Sequence, residues 1–442
     1  MRDDATDLGH LPGEDGPPII GNTLRFLRDP AAEDRRFRAQ YGRLFRNRTF
    51  GRRVVGVADA ELAEQVMLDR GQVLSSRDGW GHLLGPLFPR GLMLRDFADH
   101  RRHRQIMQAA FTRQALQSYC ADLDAQSRRG VGAWVAAGQV TFYPAIKSLL
   151  LEMAAVTFLG VPLGDEATRL NRWFIELFAA GAAALRAPVP GSTWWRGLRA
   201  RRRLVAWFEA AIPERRGATG TDLFTLLCNV SSEDGDRFTD DEIVDHMIFL
   251  MVAAHDTTAS ALASLLWYLL QAPDWAARLA AEADALGADA IDEADLERLP
   301  LLDQALREAL RLNPPVRYIV RRTVEACPMG EHALPARCPV AVIVPGVHED
   351  EALWADPLRF DPDRFAPGQA RAHKAAWIPF GGGAHTCIGM RFALLQARIF
   401  LYYLLRQATV ESAGPLGQRW RQVPVPMPVD GLPLRLTPRS PS

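Results

Sequence analysis

The chain has 442 residues, 48% of them hydrophobic, with 52 basic and 52 acidic side chains. That balance gives no global electrostatic case for a nucleic acid or an acidic partner and leaves only local patches to do such work. Five cysteines (Cys120, Cys228, Cys327, Cys338, Cys387) form no C-x-x-C pair, which argues against a disulfide framework or structural zinc and fits a reducing compartment.

The N-terminus is polar, with no basic-then-apolar leader and no membrane span, so a soluble cytoplasmic protein is expected. Leu11-Pro12-Gly13 and Pro17-Pro18-Ile19-Ile20-Gly21 read as ordered loop. Helices are expected over 30–40 and 60–68, flanking a hairpin over 45–57 that turns at Gly51. From about residue 100 helical patterns dominate, with strand signals only near 318–324 and 340–344. The expected class is mainly α with small β-sheets, in a single domain over 1–442, with no internal repeat.

Several stretches carry chemistry or cover it. Residues 80–92 form an irregular apolar segment in which Trp80, Leu83, Leu84 and Phe88 need something to pack on. A helix over 99–111 puts His100 and Arg104 on one face, either as a solvated basic face or as a carboxylate clamp. Phe178 ends a run at helical spacing, followed by the break Pro188-Val189-Pro190-Gly191 and then Trp194-Trp195 among arginines. That segment reads as a lid on its own core or, less favoured, as a membrane-surface contact.

The longest apolar run, 243–270, is interrupted by Ala253-Ala254-His255-Asp256-Thr257-Thr258. A buried soluble helix accommodates Asp256 better than a bilayer does. Thr257 reads either as a core threonine bonding the Ala253 carbonyl or as a functional hydroxyl. Glu308 and Arg311 lie three apart, a weak signal alone. Val316 and Ile319 fit a strand entering the interior, with Arg321 or Arg322 beside them. Met427 stands at the tip of a proline-rich hairpin over 423–434.

The decisive stretch is Phe380-Gly381-Gly382-Gly383-Ala384-His385-Thr386-Cys387-Ile388-Gly389. Glycines allow close backbone approach, and a cysteine at a helix start is drawn towards thiolate. The pattern Phe-x-x-Gly-x-x-x-Cys-x-Gly resembles the haem-binding loop of the cytochrome P-450 superfamily.

The resemblance extends over nearly the whole chain, from Leu11 to Leu434. It implies the triangular P-450 fold, with haem between the helix carrying Thr257 and the helix after Cys387. It implies Cys387 as the iron ligand and a haem-holding set of His100, Arg104, Arg321, Phe380, Gly383, His385 and Gly389. Asp256 and Thr257 take the place of the family's acid–alcohol pair, with Ala254 where glycine is common. Glu308, Arg311 and Arg364 match a structural Glu-x-x-Arg and its third member. The implied pocket comprises Trp80, Leu83, Leu84, Phe88, Phe178, Ala253, Ala254, Val316, Ile319 and Met427. The implied activity is monooxygenation of an apolar small molecule by haem b and O2. Electrons are expected from NAD(P)H through a ferredoxin and ferredoxin reductase, docked on a basic face of Arg101, Arg102, Arg104, Arg391 and Arg398. A monomer is expected. A peroxygenase or rearrangement enzyme on the same fold, and a haem-based sensor or carrier, are the alternatives.

Overall fold

The computed structural model describes residues 7–181, 183, 186–232, 235–369 and 373–439; most of the polar N-terminal stretch thus lies outside the described residues. The entry loop leads into helices α1 (Thr23–Arg28) and α2 (Pro30–Tyr41). Helix α2 starts where Asp29 accepts from the Ala32 N–H and Pro30 supplies a pre-set φ. Helix α3 (Ala60–Leu68) begins at Asp59 by the same device. Then come α4 (Ser76–Leu84), α5 (Phe97–Gln108), α6 (Arg113–Ala137), α7 (Phe142–Thr157), α8 (Asp165–Gly181), α9 (Thr193–Arg215) and α10 (Leu223–Asn229). The remainder comprises α11 (Asp240–Leu269), α12 (Pro273–Leu286), α13 (Glu293–Leu296), α14 (Pro300–Leu312), α15 (Val344–His348) and α16 (Met390–Gln407).

Helix α11 is the central beam. Thr239 and Glu242 close a capping box at its start, and Asp240 and Asp241 face the positive end of its dipole. Among the described residues it is the one helix long and apolar enough to cross a membrane, yet most of its apolar stretch is buried inside the protein. Its flanks pack on α7 and α14. Above it, α8 and α9 cross closely at Gly197, where a Cβ would stand 2.2 Å from that of Ala180. Trp194 is buried in this layer under the guanidinium of Arg186, so half of the tryptophan pair is core rather than surface.

The main sheet runs in the order Gly13–Glu14, Leu44–Thr49, Arg52–Val57, Pro339–Ile343, Tyr318–Thr323, Leu74–Ser75. Its apolar faces, with Val55, Val57, Val340 and Val342, form a second cluster apart from the large helical core. Two expectations shift. Residues 80–84 are helical, because Ser75 caps α4 by accepting from the Asp78 N–H. The expected helix over 99–111 starts two residues earlier and ends in a 3-10 turn at Ala109–Phe111.

Candidate active site

A cavity lies between α11 on one side and the 380–389 loop with the start of α16 on the other. Strand Tyr318–Thr323, α4 and α5 close its rim. The loop is held by Cys387 N–H donating to the Phe380 carbonyl at 2.9 Å and Gly381 N–H donating to that of Ile378 at 3.0 Å. Cys387 is deep in the molecule yet opens onto the cavity. Burial pushes its thiol up, while the Gly389 N–H and the Arg104 charge pull it down. Until a further positive charge arrives, the thiol form therefore has the advantage, against the simple expectation from helix position.

Gly383 does not face the cavity. It holds φ +62°, and a Cβ there would stand 1.9 Å from the Met67 carbonyl oxygen. Its role is the close approach of the loop to α3, which corrects its placement among the cofactor contacts. Gly389, in contrast, opens onto the cavity, and a Cβ there would meet only Phe111, at 3.9 Å.

Four cationic or potentially cationic groups gather at one edge of the cavity: His100, Arg104, Arg321 and His385. The two imidazoles lie 3.9 Å apart, centroid to centroid. Burial holds His100 down at about 4 and His385 down at about 2, with Arg104 and Arg321 adding to both. Burial also draws Arg321 down to about 10. Arg104 donates to the Thr386 carbonyl at 2.7 Å, and Arg321 to that of Val320 at 2.9 Å. Neither guanidinium meets a carboxylate within salt-bridge distance among the described residues. Buried, unneutralised arginines facing a void fit an anionic guest. With a thiol at the centre of the same wall, the donor set fits a metal macrocycle bearing carboxylates. The strand also decides between the two arginines. Alternation turns Arg321 into the cavity, and Arg322 outward to the Arg337 carbonyl at 2.8 Å.

On the opposite wall Ala253, Ala254 and Thr257 of α11 face the cavity, joined by Trp80, Val316, Ile319 and Phe380. Thr257 Oγ1 donates to the Ala253 carbonyl at 2.8 Å, so the bland hydrogen bond is present while the oxygen still faces the void. Asp256 points elsewhere. Its carboxylate is 1% exposed and meets Lys147 Nζ of α7 at 2.5 Å. His255 Nε2 lies 3.7 Å from the same oxygen, and both His255 Nε2 and the Tyr143 hydroxyl are buried without a hydrogen-bond partner. Successive residues on a helix are about 100° apart, so Asp256 and Thr257 cannot both face the void.

Five further residues expected in the pocket are not on its wall. Phe178 lies behind α11, edge-on to His255 at 5.6 Å. Phe88 sits behind Phe249, whose ring takes the wall position 5.4 Å in front. The helical turn of α4 that aims Trp80 inward leaves Leu84 packing on the core and directs the Leu83 carbonyl to Arg186. Met427 packs on the core in a strand paired with Trp420–Arg421. The wall instead includes Leu92, Met93, Phe249 and Leu250, with Phe111 and Phe158 behind the cysteine. Phe249 and Leu250 precede Ala253 by one helical turn, a spacing that could have revealed them. Phe111 and Phe158 carry no such local signal.

Behind the loop, Arg311 holds Glu308 with two bonds, 2.7 and 2.8 Å, both side chains fully buried. Arg311 also donates to the carbonyls of His348 and Pro357, and Arg364 reaches Glu308 at 3.4 Å. His348 completes the frame: Nδ1 donates to the Arg311 carbonyl at 2.9 Å, and Nε2 accepts from the Ile378 N–H at 2.9 Å. One imidazole thus ties α14 to the chain entering the cysteine loop. Local sequence alone assigns His348 no such role.

A family model described as Cytochrome P450 matches residues 11–416. The chain belongs to the cytochrome P450 family. It is 41% identical over 386 residues to putative cytochrome P450 136 of Mycobacterium tuberculosis, covering 85% of this chain and 78% of that one. It is 31% identical to human cytochrome P450 26C1, covering 100% and 91% respectively. The solved structure of retinoic acid-bound cyanobacterial CYP120A1 superposes with a TM-score of 0.88 at 28% identity, covering 97% of this chain and 99% of that one. This P450 is a haem-thiolate monooxygenase by family, acting with haem and O2. Its P450 fold, mostly helical with small sheets, is the one expected.

Proposed function

We propose that this P450 inserts one oxygen atom of O2 into an apolar small molecule, with Cys387 Sγ as the iron ligand. The observation that supports this most is the pairing of opposed walls in one cavity: a central thiol edged by unneutralised arginines, facing an apolar wall broken by Thr257. Thiolate-ligated haem supplies O–O cleavage when bound. Arg104, Arg321, His100 and His385 hold its carboxylates, and Gly389 leaves room for close approach. Trp80, Phe249, Ala253, Val316 and Ile319 exclude water and orient the substrate. The Thr257 hydroxyl holds a proton donor in place on the cavity side. Asp256, held by Lys147 at the solvent-facing flank of α11, takes up protons from that side, as a positioned carboxyl group does.

The substrate reading follows from the wall. Its side chains are almost wholly apolar, and the hydroxyls of Ser76 and Thr258 are spent on the carbonyls of Met93 and Ala254. A rigid apolar molecule of the terpenoid, steroid or retinoid kind fits, in keeping with a structural neighbour that carries retinoic acid. The reading takes the chain as one cytoplasmic domain, acting as a monomer.

Electrons would come from NAD(P)H through a separate ferredoxin-type partner. The docking face is narrower than expected. Arg102 is engaged by Asp236 at 2.7 Å, Arg104 serves the cavity, and Arg398 is largely buried near Asp303. Arg101 and Arg391 remain exposed for an acidic donor.

The test is Cys387→Ser. Reduced wild-type protein with carbon monoxide should show the long-wavelength Soret band of thiolate ligation, and the variant should lose it while still folding. Retention of that band in the variant would overturn the assignment.

A further inference from the structure

The edge of the main sheet farthest from the cysteine carries an apolar lobe that no part of this chain covers. Five large side chains gather there: Ile19 is 81% exposed, Leu24 67%, Phe50 60%, Leu27 58% and Ile20 43%. Leu24 and Leu27 are three apart in α1 and share its outer face. Phe26, between them, turns inward, edge-on to Phe50 at 5.8 Å and against Tyr318 at 5.6 Å. The lobe is built, not loose. Asn22 N–H donates to the Arg48 carbonyl at 2.7 Å, and Phe50 N–H donates to Thr23 Oγ1 at 2.7 Å, which joins α1 to the hairpin tip.

Two further observations say what covers it. First, Ile19 is held at φ +69°. A β-branched residue in the left-handed region is strained, and this one gains no burial in return. Such a residue does nothing for the folded chain alone. Second, the surroundings are basic. No acidic residue occurs in 16–28 or in 42–57, which between them hold Arg25, Arg28, Arg43, Arg46, Arg48, Arg52 and Arg53. Asp15 and Asp59 engage Arg46, Arg53 and Arg43, and Glu14 is taken by Arg36 at 2.6 Å, leaving Arg25 only a long 3.5 Å contact. The nearest uncommitted surface charge is therefore positive.

We propose that this lobe docks on an anionic lipid bilayer, with Ile19, Leu24, Leu27 and Phe50 inserted and Arg25, Arg28 and Arg52 at the headgroups. Apolar side chains rimmed by arginine are what such an interface selects. The placement also bears on substrate supply. Phe26 packs on Tyr318, and the ring of Tyr318 lines the cavity while its hydroxyl donates to Asp34 at 2.7 Å. The docked face is thus one side chain removed from the pocket wall, where an apolar molecule dissolved in the bilayer would be delivered.

The test uses full-length protein and co-sedimentation with two kinds of vesicle, phosphatidylcholine alone and phosphatidylcholine mixed with phosphatidylglycerol. Wild type should partition onto the anionic vesicles, less so at high salt. The combined variant Leu24→Asp and Leu27→Asp should lose at least about tenfold in partition, with an unchanged carbon monoxide spectrum. Ile19→Gly separates docking from folding, because relief of strain should hold or raise the melting temperature while partition falls. Wild type that ignores both vesicles, or variants that partition as wild type does, would overturn the proposal. A concentration-dependent dimer that the aspartates dissociate, without vesicle binding, would overturn it in favour of a second copy as the occupant.

Discussion

Two buried ion pairs near the cavity are built on opposite plans. Glu308 and Arg311 are both fully buried and joined by two bonds, and the remaining donors of Arg311 go to backbone carbonyls. Asp256 is as deeply buried, but one lysine, itself 23% exposed, is its main partner, and unpartnered polar atoms of Tyr143 and His255 lie close by. A fully satisfied pair has nothing left to exchange and fixes backbone segments relative to each other. An under-satisfied pair with a path to solvent can gain or lose a proton without dismantling the fold. The first plan suits a frame for the cysteine loop; the second suits proton supply.

The largest effect should come from breaking the satisfied pair. Arg311→Ala leaves Glu308 buried and the carbonyls of His348 and Pro357 without their donor, a loss of about 3–5 kcal/mol. Urea unfolding of the variant should show it, together with poor haem retention. A change below about 1 kcal/mol would show the network to be incidental.

Breaking the other pair should spare the fold and strike turnover. Asp256→Asn should melt close to wild type yet turn over about 10²-fold more slowly. Thr257→Ala on the cavity side should bind substrate and consume NAD(P)H, while product per NAD(P)H falls and peroxide rises. Unchanged coupling in the threonine variant would remove its role and favour the peroxygenase reading.

The frame also predicts a pH dependence. Burial, with the nearby Arg311 charge, outweighs the Arg311 carbonyl bond and holds His348 down at about 3, against an ordinary 6.5. The unfolded chain therefore binds a proton that the folded frame refuses. His348 costs nothing above pH 6.5, and stability is lost as pH falls from there towards 3, by up to about 1.4 kcal/mol per unit. Urea midpoints measured between pH 7 and pH 4.5 should show a steeper decline in wild type than in His348→Gln. Parallel curves would place the loss elsewhere.

The smallest effect lies on the surface. Arg101→Glu with Arg391→Glu should slow reduction by an acidic ferredoxin severalfold at low salt, and the gap should close as salt rises. Equal rates at low salt would remove this docking face.

Local spacing made much of this protein legible. The glycine–cysteine loop, the buried beam with Thr257, and the Glu308–Arg311 step all lie within a few residues of chain, so their geometry follows from helix period and backbone permissiveness. Element bounds came within a few residues for the same reason. Even the odd Arg337, standing at a turn where the family often has glycine, proves to hold φ +64°. What tertiary structure alone decided is direction and partnership. The partner of Asp256 comes from α7, the reach of His348 joins two distant segments, and Phe249 rather than Phe88 takes the wall. Whether Arg102 is free depends on Asp236, far along the chain. A helix pattern states which residues share a face, but the identity of whatever that face meets is set by packing between segments remote in sequence, and no local period encodes it.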